Sequence, residues 1–534
     1  MTEIFDYIIV GAGSAGCVLA NRLSENPTTR VLLLEAGPMD RDPLIQVPFG
    51  VGRLYPRRKY DWGYDNEPEE AINGRVTDAM RGRVVGGSSS INGMMYVRGN
   101  PNDYNRWAQK GAIGWGYDDV LPYFRKIEAW QGEPDSEFRN RSGAVIVTPA
   151  QDPDPLYDAW AEAVKASGHD LNPDYNGGTQ EGFSRTQFSI GNGRRASASV
   201  AFLRPALQRR NLELRTDATA NRIIFDGRRA TGIEYIRGGQ TRRASANREV
   251  ILSGGSFNSP HLLMLSGIGP ASHLGEFGIE VRQDLPGVGS NLQDHWATMV
   301  GYARKTTSLF LKTMRFDRMT RAMFEAYFFG RGAATKMPMG FVGFIKSRPE
   351  LAVPDLQFMM RGVLNNMHMW FPGIKAPFLD GFGIRPVLLH PESRGWLKLQ
   401  SADARDRVKV FQNYFGVQSD LIPLREGVRM IRSFAMRPEM DDFRGEEIDP
   451  GLSVQKDDEI DAWTRSTVIT AHHPACTCAM GIGDRAVLDP AMKVRGFERL
   501  RVVDASAMPD LPSGNTNAPV MMMAAKAADM ILAA

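Results

Sequence analysis

Residues 7–23, YIIVGAGSAGCVLANRL, decide the fold of this chain. The first four form a short apolar run typical of a strand, and the residues after the glycines have the apolar spacing of a helix. A second apolar run, VLLL at 31–34, ends directly before Glu35. A strand, a tight turn, a helix and a second strand within about thirty residues predict a βαβ unit, and therefore a parallel sheet and an α/β fold.

The glycines of residues 11–16 form the pattern GxGxxG, with an acid nineteen residues beyond the last glycine. Gly11 permits the tight turn, Gly13 lets the backbone approach a pyrophosphate, and Gly16 allows the helix to pack closely on the strand. The positive end of the helix then faces the phosphates, and Glu35 accepts hydrogen bonds from an adenosine ribose. A plain strand-to-helix turn is the alternative, but strand, helix and acid together favour a dinucleotide site. The motif does not separate FAD from NAD.

Residues 82–93, GRVVGGSSSING, combine small residues with hydroxyl groups. Such a loop offers backbone N–H groups and hydroxyls with little steric bulk, which a phosphate or the edge of a flavin ring requires. A solvated loop is the alternative, but it has no need of apolar residues among its glycines. We therefore expect a second cofactor contact here.

Residues 255–269, GSFNSPHLLMLSGIG, predict a capped core helix that follows a buried strand. Ser259 suits the N-cap, Pro260 suits the first helical turn, and Gly267 suits the helix end. We expect His261 to be a packing or solvent-facing histidine rather than a catalytic one.

Residues 472–478, HHPACTC, hold two histidines and two cysteines. A metal site is disfavoured, because zinc-binding cysteine pairs normally have at least two residues between them and no second cysteine cluster completes a site. A general base is the functional interpretation, since histidine titrates near working pH. Two structural histidines are the alternative.

Residues 513–521, SGNTNAPVM, lead into a helix that we expect from about Pro519 to the chain end. The two asparagine amides are either simple helix caps or donors aimed at a substrate oxygen or a flavin carbonyl. On local evidence alone, caps are favoured.

The composition of the 534 residues is that of a folded protein, with 43% hydrophobic and 23% charged residues. The net charge of +3 is small and the Lys and Arg residues are scattered, so we expect no nucleic-acid partner. Three cysteines argue against a disulfide scaffold and fit a reducing compartment. Apolar runs end well before the ~20 residues of a spanning helix, and residues 1–6 lack a basic region. We expect a cytoplasmic monomer or homodimer without an integral membrane segment, and leave peripheral membrane attachment open.

The five motifs, in this order and at these separations, resemble the glucose–methanol–choline (GMC) oxidoreductase family, especially its bacterial choline-dehydrogenase-like branch. Residues 285–295, LPGVGSNLQDH, form a further stretch similar to the family. The resemblance covers essentially the whole chain and is weakest from about 305 to 385. It implies a Rossmann-like FAD-binding domain from residues 1–150, 205–305 and 470–534. It also implies a substrate domain, built on a mixed or antiparallel sheet with helices, from residues 151–204 and 306–469.

The resemblance implies FAD as the cofactor, with the ADP half held at the first glycine motif. Some relatives attach FAD covalently through a histidine in the second glycine-rich loop; Ile91 occupies that place here, so we expect non-covalent FAD. Carried over position by position, the expected cofactor residues are Gly11, Gly13, Ser14, Ala15, Gly16, Glu35, Ala36, Arg83, Val85, Gly86, Gly87, Ser88, Asn92, Gly93, Met94, Ala220, Asp504, Ala505, Asn515, Asn517 and Pro519.

The family's catalytic pair maps onto His473, as the base, and Asn515. Asn517 is the alternative to Asn515 and is held as a near-flavin residue. The resemblance implies oxidation of an alcohol, with electrons passed to oxygen, a quinone or another carrier rather than NAD, because only one dinucleotide fingerprint is present. The segment from 305 to 385 is apolar and rich in Met, which suggests a primary, fairly apolar, aromatic or polyether-like alcohol. The expected substrate-contacting residues are His472, Phe358 and Met360.

Four alternatives remain at this stage. The chain could be a choline dehydrogenase proper, or a lyase or decarboxylase on the same fold. It could also bind flavin without catalysis, or be an NAD-dependent dehydrogenase.

Overall fold

The computed structural model of the chain describes residues 3–133 and 136–533. Its α-helices are α1 Ser14–Leu23, α2 Pro43–Gln46, α3 Val51–Leu54, α4 Pro101–Gln109, α5 Tyr117–Ile127, α6 Leu156–Ala166, α7 Arg204–Ala206, α8 Gly255–Leu265, α9 Ala271–Glu276, α10 Leu309–Thr313, α11 Phe316–Phe329, α12 Leu421–Ala435, α13 Asp457–Thr467 and α14 Asn517–Leu532. The strands of its two large sheets are β1 Glu3–Val10, β2 Val31–Leu34, β3 Gly182–Arg185, β4 Leu212–Arg215, β5 Ala218–Asp226, β6 Arg229–Arg237, β7 Gln240–Leu252, β8 Trp296–Ala297, β9 Val300–Arg304, β10 Phe341–Ile345, β11 Leu356–Arg361, β12 Gly381–Leu388, β13 Arg444–Asp449, β14 Ile469–Thr470 and β15 Leu500–Val502.

The first sheet has seven strands in the order β5-β6-β7-β1-β2-β4, and β15 pairs with β7. Strand β1 runs parallel to both β2 and β7, and β2 runs parallel to β4. The apolar runs at 7–10 and 31–34 are buried because helices cover this sheet, as the βαβ pattern predicts. Helix α1 packs against the last helix, α14, so the two ends of the chain meet on this sheet. The predicted α/β fold is confirmed.

The second sheet has eight strands in the order β13-β9-β12-β11-β10-β3, with β8 pairing with β12 and β14. Its pairs along this path are antiparallel. Helices α6 and α12 pack on one face and form a core with Phe183, Phe358 and Phe434. The Phe183 and Phe358 rings stack with centroids 5.9 Å apart. Strands β8 and β9 belong to this sheet, although they fall in the segment 205–305, which the family resemblance assigns to the cofactor domain.

Helix α8 begins at Gly255, four residues before the predicted N-cap. The Ser259 hydroxyl is engaged elsewhere: it accepts from the Gly254 N–H at 3.0 Å and donates to Asp504 at 2.6 Å. The prediction of an N-cap at Ser259 is therefore wrong, because this hydroxyl serves a tertiary contact. Pro260 lies inside the helix rather than in its first turn. Gly267, with φ of +83°, lies just beyond the helix end, as predicted.

In the part of the chain that the structure describes, no helix is both long and apolar enough to cross a membrane.

Candidate active site

A cavity of about 750 Å³ opens at the carboxyl ends of β1, β2 and β7. Ligands of open α/β sheets bind at this edge. The start of α1, the loop at 87–94, the start of α8 and the start of α14 all contribute to its wall. Strand β14 with the loop that follows it to residue 474, and strands β11 and β12, complete it. The cavity therefore lies between the two sheets, with residues of both on its wall.

The glycines of the first motif allow two backbones to meet at one end of this cavity. Gly11 has φ of +103°, and a Cβ there would collide with the Ser253 carbonyl. A Cβ on Gly16 would collide with the Gly11 carbonyl, and one on Gly87 would lie 2.7 Å from the Gly13 Cα. At Gly13 itself, an added Cβ would meet only one atom, at 3.9 Å. The free space at Gly13 is what the close approach of a pyrophosphate requires.

The N-terminus of α1 suits a phosphate for a second reason. Gly13 is the N-cap residue and has no side chain to cap the first-turn N–H groups. The Ser14 hydroxyl donates to Asn517 Oδ1 at 2.7 Å, which joins the starts of α1 and α14 on the wall. Uncapped N–H groups at the positive end of a helix, beside a glycine cradle, fit the diphosphate of a dinucleotide.

Glu35 lies on the cavity wall directly after β2. Its carboxylate accepts from the N–H groups of Ala12 at 3.0 Å and Gly37 at 2.8 Å. Burial raises the pKa of Glu35 to about 7, although these N–H groups act in the opposite direction. Each oxygen keeps a further lone pair for a ribose hydroxyl. The predicted ribose contact is therefore available at this residue.

The cavity wall brings together most of the predicted cofactor residues. Those on it are Gly11, Gly13, Ser14, Ala15, Glu35, Ala36, Gly87, Ser88, Asn92, Gly93, Met94, Ala220, Asp504, Ala505, Asn515 and Asn517.

Five predicted cofactor residues are not on the wall, and they lie behind or beside it. Gly16 packs against the Gly11 carbonyl, and the Gly86 N–H donates to the Ala12 carbonyl at 2.7 Å. Val85 is fully buried. Arg83 is exposed, with its guanidinium 5.1 Å from the centre of the Trp62 ring. Pro519 is buried in the first turn of α14, where its neighbour Val520 reaches the wall instead.

His473 and Asn515, the pair that the family resemblance implies, meet on the same wall. Asn515 Nδ2 lies 2.9 Å from His473 Nε2, and Gln357 Nε2 donates to Asn515 Oδ1 at 3.3 Å. On the other side of the ring, His473 Nδ1 lies 2.9 Å from His295 Nδ1. With the Asn515 amide donating, Nε2 of His473 is an acceptor and Nδ1 carries the proton that His295 accepts. In this tautomer Nε2 is unprotonated, and its lone pair accepts from the Asn515 amide.

The loop that carries His473 is held by a buried carboxylate. The His473 N–H donates to Asp294 Oδ1 at 2.8 Å, and the Thr470 hydroxyl donates to Oδ2. Burial, then Arg81 and His472, lower the pKa of His473 to about 3. The imidazole is therefore neutral at working pH, with the Nε2 lone pair engaged by the Asn515 amide.

His472 lies on the wall, as predicted, and has an unusual backbone conformation, with φ of +63°. Its Nε2 lies 2.7 Å from the Tyr55 hydroxyl, and Arg81 Nη2 donates to its carbonyl at 2.7 Å. Burial and the cations Arg81, Arg385 and Arg58 lower the pKa of His472 to about 3.

Phe358 and Met360 are not on the cavity wall. Both belong to β11, and their side chains lie in the core beneath α6 and α12, each 1% exposed. Side chains alternate along a strand, so Met359 and Arg361 are the β11 residues that reach the cavity. The β11 residues on the wall are thus offset by one from the expected Phe358 and Met360, because composition cannot tell one face of a strand from the other.

The cysteines of the C-terminal motif serve the fold. Cys476 and Cys478 are buried, and their N–H groups donate to the carbonyls of Ala505 and Ser506, which ties this loop to the segment after β15. Within 3–133 and 136–533, no group of three or more His, Cys, Asp or Glu is placed to hold a metal. His261 is buried but lies on the cavity wall, and burial lowers its pKa to about 4.

Several residues at this site were not predicted from the sequence, among them Tyr55, Arg81, His295, Gln357, Arg361 and Arg385. His295 lies in the stretch 285–295, which is similar to the family, but the resemblance implied no function for this residue. Arg361 and Arg385 carried no sequence signal, because their meeting depends on the pairing of β11 with β12.

Comparison with known proteins gives consistent matches over most of the chain. Sequence models described as GMC oxidoreductase match residues 5–297 and 391–524. The mitochondrial choline dehydrogenase of Homo sapiens is 42% identical over 99% of this chain and 89% of its own length. The oxygen-dependent choline dehydrogenase of Photobacterium profundum is 41% identical over 100% of this chain and 94% of its own.

Solved structures agree with the sequence matches. Pyridoxine 4-oxidase from Mesorbium loti superposes with a TM-score of 0.87 at 29% identity, over 98% of both chains. A formate oxidase variant of Aspergillus oryzae RIB40, described for the modification of its FAD, superposes with a TM-score of 0.91 at 27% identity. That match covers 100% of this chain and 98% of the other.

Proposed function

Because the chain belongs to the GMC oxidoreductase family and is an FAD-dependent enzyme, we propose that it oxidises the CH–OH group of an alcohol, with His473 as the base. The observation that carries this proposal is the His473–Asn515 pair on the wall of the cavity into which the dinucleotide motif opens. The base and the cofactor cradle share one enclosed space. That arrangement suits removal of a proton and a hydride from the same substrate.

The chain offers a place for each part of FAD. The turn at Gly13 and the loop at Gly87 would hold the diphosphate, and Glu35 the ribose. The isoalloxazine would lie toward His473 and Asn515. When bound, the flavin supplies the acceptor for the hydride that leaves the carbinol carbon. Ile91, which lies on the wall and has no nucleophile, supports non-covalent attachment.

In this mechanism, His473 Nε2 accepts the hydroxyl proton of the alcohol as the carbinol carbon loses its hydride. The alcohol oxygen takes the place of His473 Nε2 as the acceptor for the Asn515 amide, which frees Nε2, and Asn515 Nδ2 then donates a hydrogen bond to the developing alkoxide. His295 holds the Nδ1 proton of His473, so that Nε2 stays available. A base placed in this way contributes about 10²–10⁴-fold to rate.

Choline is the second candidate substrate, favoured by the relatives named choline dehydrogenase at 41% and 42% identity. Electrons would leave to oxygen, a quinone or another carrier. The catalytic pair argues against a lyase, a decarboxylase or a flavin-binding protein without catalysis.

The test is anaerobic reduction of the purified yellow enzyme by a panel of alcohols that includes choline, benzyl alcohol and short polyethers. We expect at least one alcohol to bleach the flavin absorbance. Turnover with oxygen and with an artificial dye, measured side by side, then identifies the kind of acceptor. A flavin that no alcohol reduces would refute the proposal.

A further inference from the structure

Two arginines face the cavity from adjacent strands of the second sheet. Arg361 ends β11, and Arg385 lies in β12 opposite Met359. Residues 359 and 361 share one face of β11, so Arg361 and Arg385 are diagonal neighbours on that face. Both side chains reach the cavity wall. We call these two residues the arginine pair.

Neither cation of the arginine pair is neutralised within the described residues. Arg361 Nη1 donates to Asn365 Oδ1 at 2.9 Å, and neither arginine forms an ion pair in that part of the chain. The Nε atoms of both are buried without a hydrogen-bond partner there. Burial and the neighbouring Arg385 lower the pKa of Arg361 to about 9, and burial lowers the pKa of Arg385. Two like charges, partly desolvated and unpaired, are costly for a fold.

The arginine pair lies at the end of the cavity that holds the proposed base. Arg385 contributes to the lowered pKa of His472, the residue next to the base. Burial raises the pKa of Tyr55, and Arg385 opposes this shift. The Tyr55 hydroxyl lies 2.7 Å from His472 Nε2. Arg81 adds a third cation to this part of the wall. Two carboxylates lie behind this part of the wall: Asp78 Oδ2 is 3.9 Å from His472 Nε2, and Asp294 accepts from the His473 N–H. Arg361 and Arg385 form an ion pair with neither of them.

The acids on the cavity wall do not balance these cations. Among the described residues, two carboxylates line it, Glu35 and Asp504. Glu35 binds backbone N–H groups after β2, and Asp504 is engaged by the hydroxyls of Ser259 and Ser506. Asp78 accepts from the Tyr55 hydroxyl at 2.9 Å but is not part of the wall. Since no carboxylate of the described residues pairs with Arg361 or Arg385, an incoming ligand is left to supply their counter-charge.

We propose that the substrate is an alcohol that carries an oxyanion group, a carboxylate in the first place, which the arginine pair binds. This inference rests on the proposed function and names its substrate class. The rest of the substrate lies against the apolar wall formed by Met337, Met339, Met359 and Met367. Guanidinium groups suit a carboxylate because they donate parallel hydrogen bonds in a planar fork. A quaternary ammonium such as choline would meet like charge here.

The test compares substrates that share one scaffold and differ in charge. These are para-(hydroxymethyl)benzoate, neutral para-methylbenzyl alcohol and para-(hydroxymethyl)benzyltrimethylammonium. A fourth substrate, para-(hydroxymethyl)benzenesulfonate, tests whether the site prefers a carboxylate to another oxyanion. We expect kcat/KM of the holoenzyme to be tenfold or more higher for the benzoate than for the neutral alcohol, and lowest for the ammonium compound. A preference for the ammonium compound or for choline would overturn the inference.

Variants assign the charge preference to the arginine pair. In Arg361→Gln and Arg385→Gln, the ratio of kcat/KM for benzoate over neutral alcohol should fall tenfold or more, mainly through KM. Arg321→Gln, at an exposed arginine of α11, is the matched control and should keep the ratio. The thermal midpoint of the two pair variants should stay the same or rise, since each removes a buried unpaired cation. A lower midpoint with an unchanged ratio would show a structural role instead.

A binding measurement separates this inference from the proposed function. para-Toluate, which has no hydroxyl to oxidise, should perturb the flavin absorbance of the oxidised holoenzyme, with a Kd that weakens tenfold or more in both pair variants. If toluate binds in this way but no alcohol reduces the flavin, the proposed function fails and the anion site stands. If alcohols reduce the flavin without charge preference and toluate does not bind, the inference fails and the function stands. Loss of FAD from the pair variants, with the charge preference unchanged, would mean that the arginines hold the cofactor, and would overturn the inference.

Discussion

At the scale of single residues, the proposed chemistry depends on which nitrogen of His473 carries the proton. Asn515 faces Nε2 and His295 faces Nδ1, each at 2.9 Å. Gln357 orients the Asn515 amide from behind. The ring is thus held on both sides in one tautomer, and each contact can be removed separately.

Replacing His473 with alanine should lower turnover about 10²–10⁴-fold, because the alcohol proton then has no acceptor. The yellow cofactor should stay bound, since Glu35 and the glycine turn are unchanged. Steady-state rates and the flavin spectrum measure both effects. His169→Ala, at a histidine away from the cavity wall, is the control. Near-normal flavin reduction by alcohol in His473→Ala would remove His473 from the mechanism.

His295 is a positioning residue in this scheme, and His295→Phe removes the acceptor for the Nδ1 proton of His473. We expect kcat to fall about 10–100-fold with little change in KM, as for other residues that orient a functional group. Without this acceptor, the His473 ring can carry its proton on Nε2 instead of Nδ1. The pH profile of kcat should therefore change shape. His295→Asn, whose amide oxygen accepts a hydrogen bond, should restore part of the rate. A profile identical to that of the native enzyme would limit His295 to packing.

Glu35 links cofactor binding to pH. Its pKa is about 7 in the cofactor-free chain, whereas binding the ribose hydroxyls favours the carboxylate. Below this pKa a proton must therefore leave on binding, so FAD affinity should fall as the pH drops, by up to about tenfold per pH unit. Titration of the apoprotein with FAD at a series of pH values on both sides of the Glu35 pKa measures this. In Glu35→Gln the slope should vanish; a slope that persists would locate the proton elsewhere.

At the scale of elements, helix α8 tolerates an internal proline because another segment compensates for it. Pro260 has no N–H to donate to the Ser256 carbonyl, four residues earlier. The Thr477 hydroxyl donates to that carbonyl at 2.6 Å. The helix beside the cavity and the loop after His473 are thereby joined.

Thr477→Val should lower the free energy of unfolding by about 1–3 kcal/mol, because it leaves a buried carbonyl without a donor. Thr477→Ser keeps the hydroxyl and is the control. In a Pro260→Ala background, the restored N–H should reduce the cost of Thr477→Val. Urea unfolding of the native protein, Thr477→Val, Pro260→Ala and the double variant measures the coupling between the two sites. Equal costs of Thr477→Val in both backgrounds would contradict it.

At the scale of the whole molecule, the cofactor cavity joins parts of the chain that are far apart in sequence. Its wall draws on β1 and α1 near the start, β5 and α8 in the middle, and α14 at the end. A ligand that bridges them should stabilise all of them together.

Removal of FAD should therefore lower the thermal midpoint of the whole chain. Free FAD at about 100 times its Kd should add about 2.7 kcal/mol to the stability of the cofactor-free protein. Scans at increasing FAD concentration measure this, and ADP, which lacks the flavin, provides a comparison. A midpoint that does not respond to FAD would contradict a bridging cofactor.

The sequence alone predicted the parts of the protein that are local along the chain. The βαβ unit, the glycine turn and Glu35 depend on neighbours within a few dozen residues, and the structure places each where the pattern predicts. The His473–Asn515 meeting was anticipated through a family resemblance. The start of α8 was missed because Ser259 is held by a tertiary partner, Asp504.

Only the tertiary structure decided which side chains of β11 and β12 line the cavity. A shift of one residue along β11 separates Phe358 in the core from Met359 on the cavity wall, and neither composition nor period reveals the choice. The pairing of β11 with β12 likewise creates the arginine pair from two positions that no motif marks in the sequence. Strand register is set by the packing of whole sheets, so charge and shape at the substrate end follow from the fold rather than from any motif.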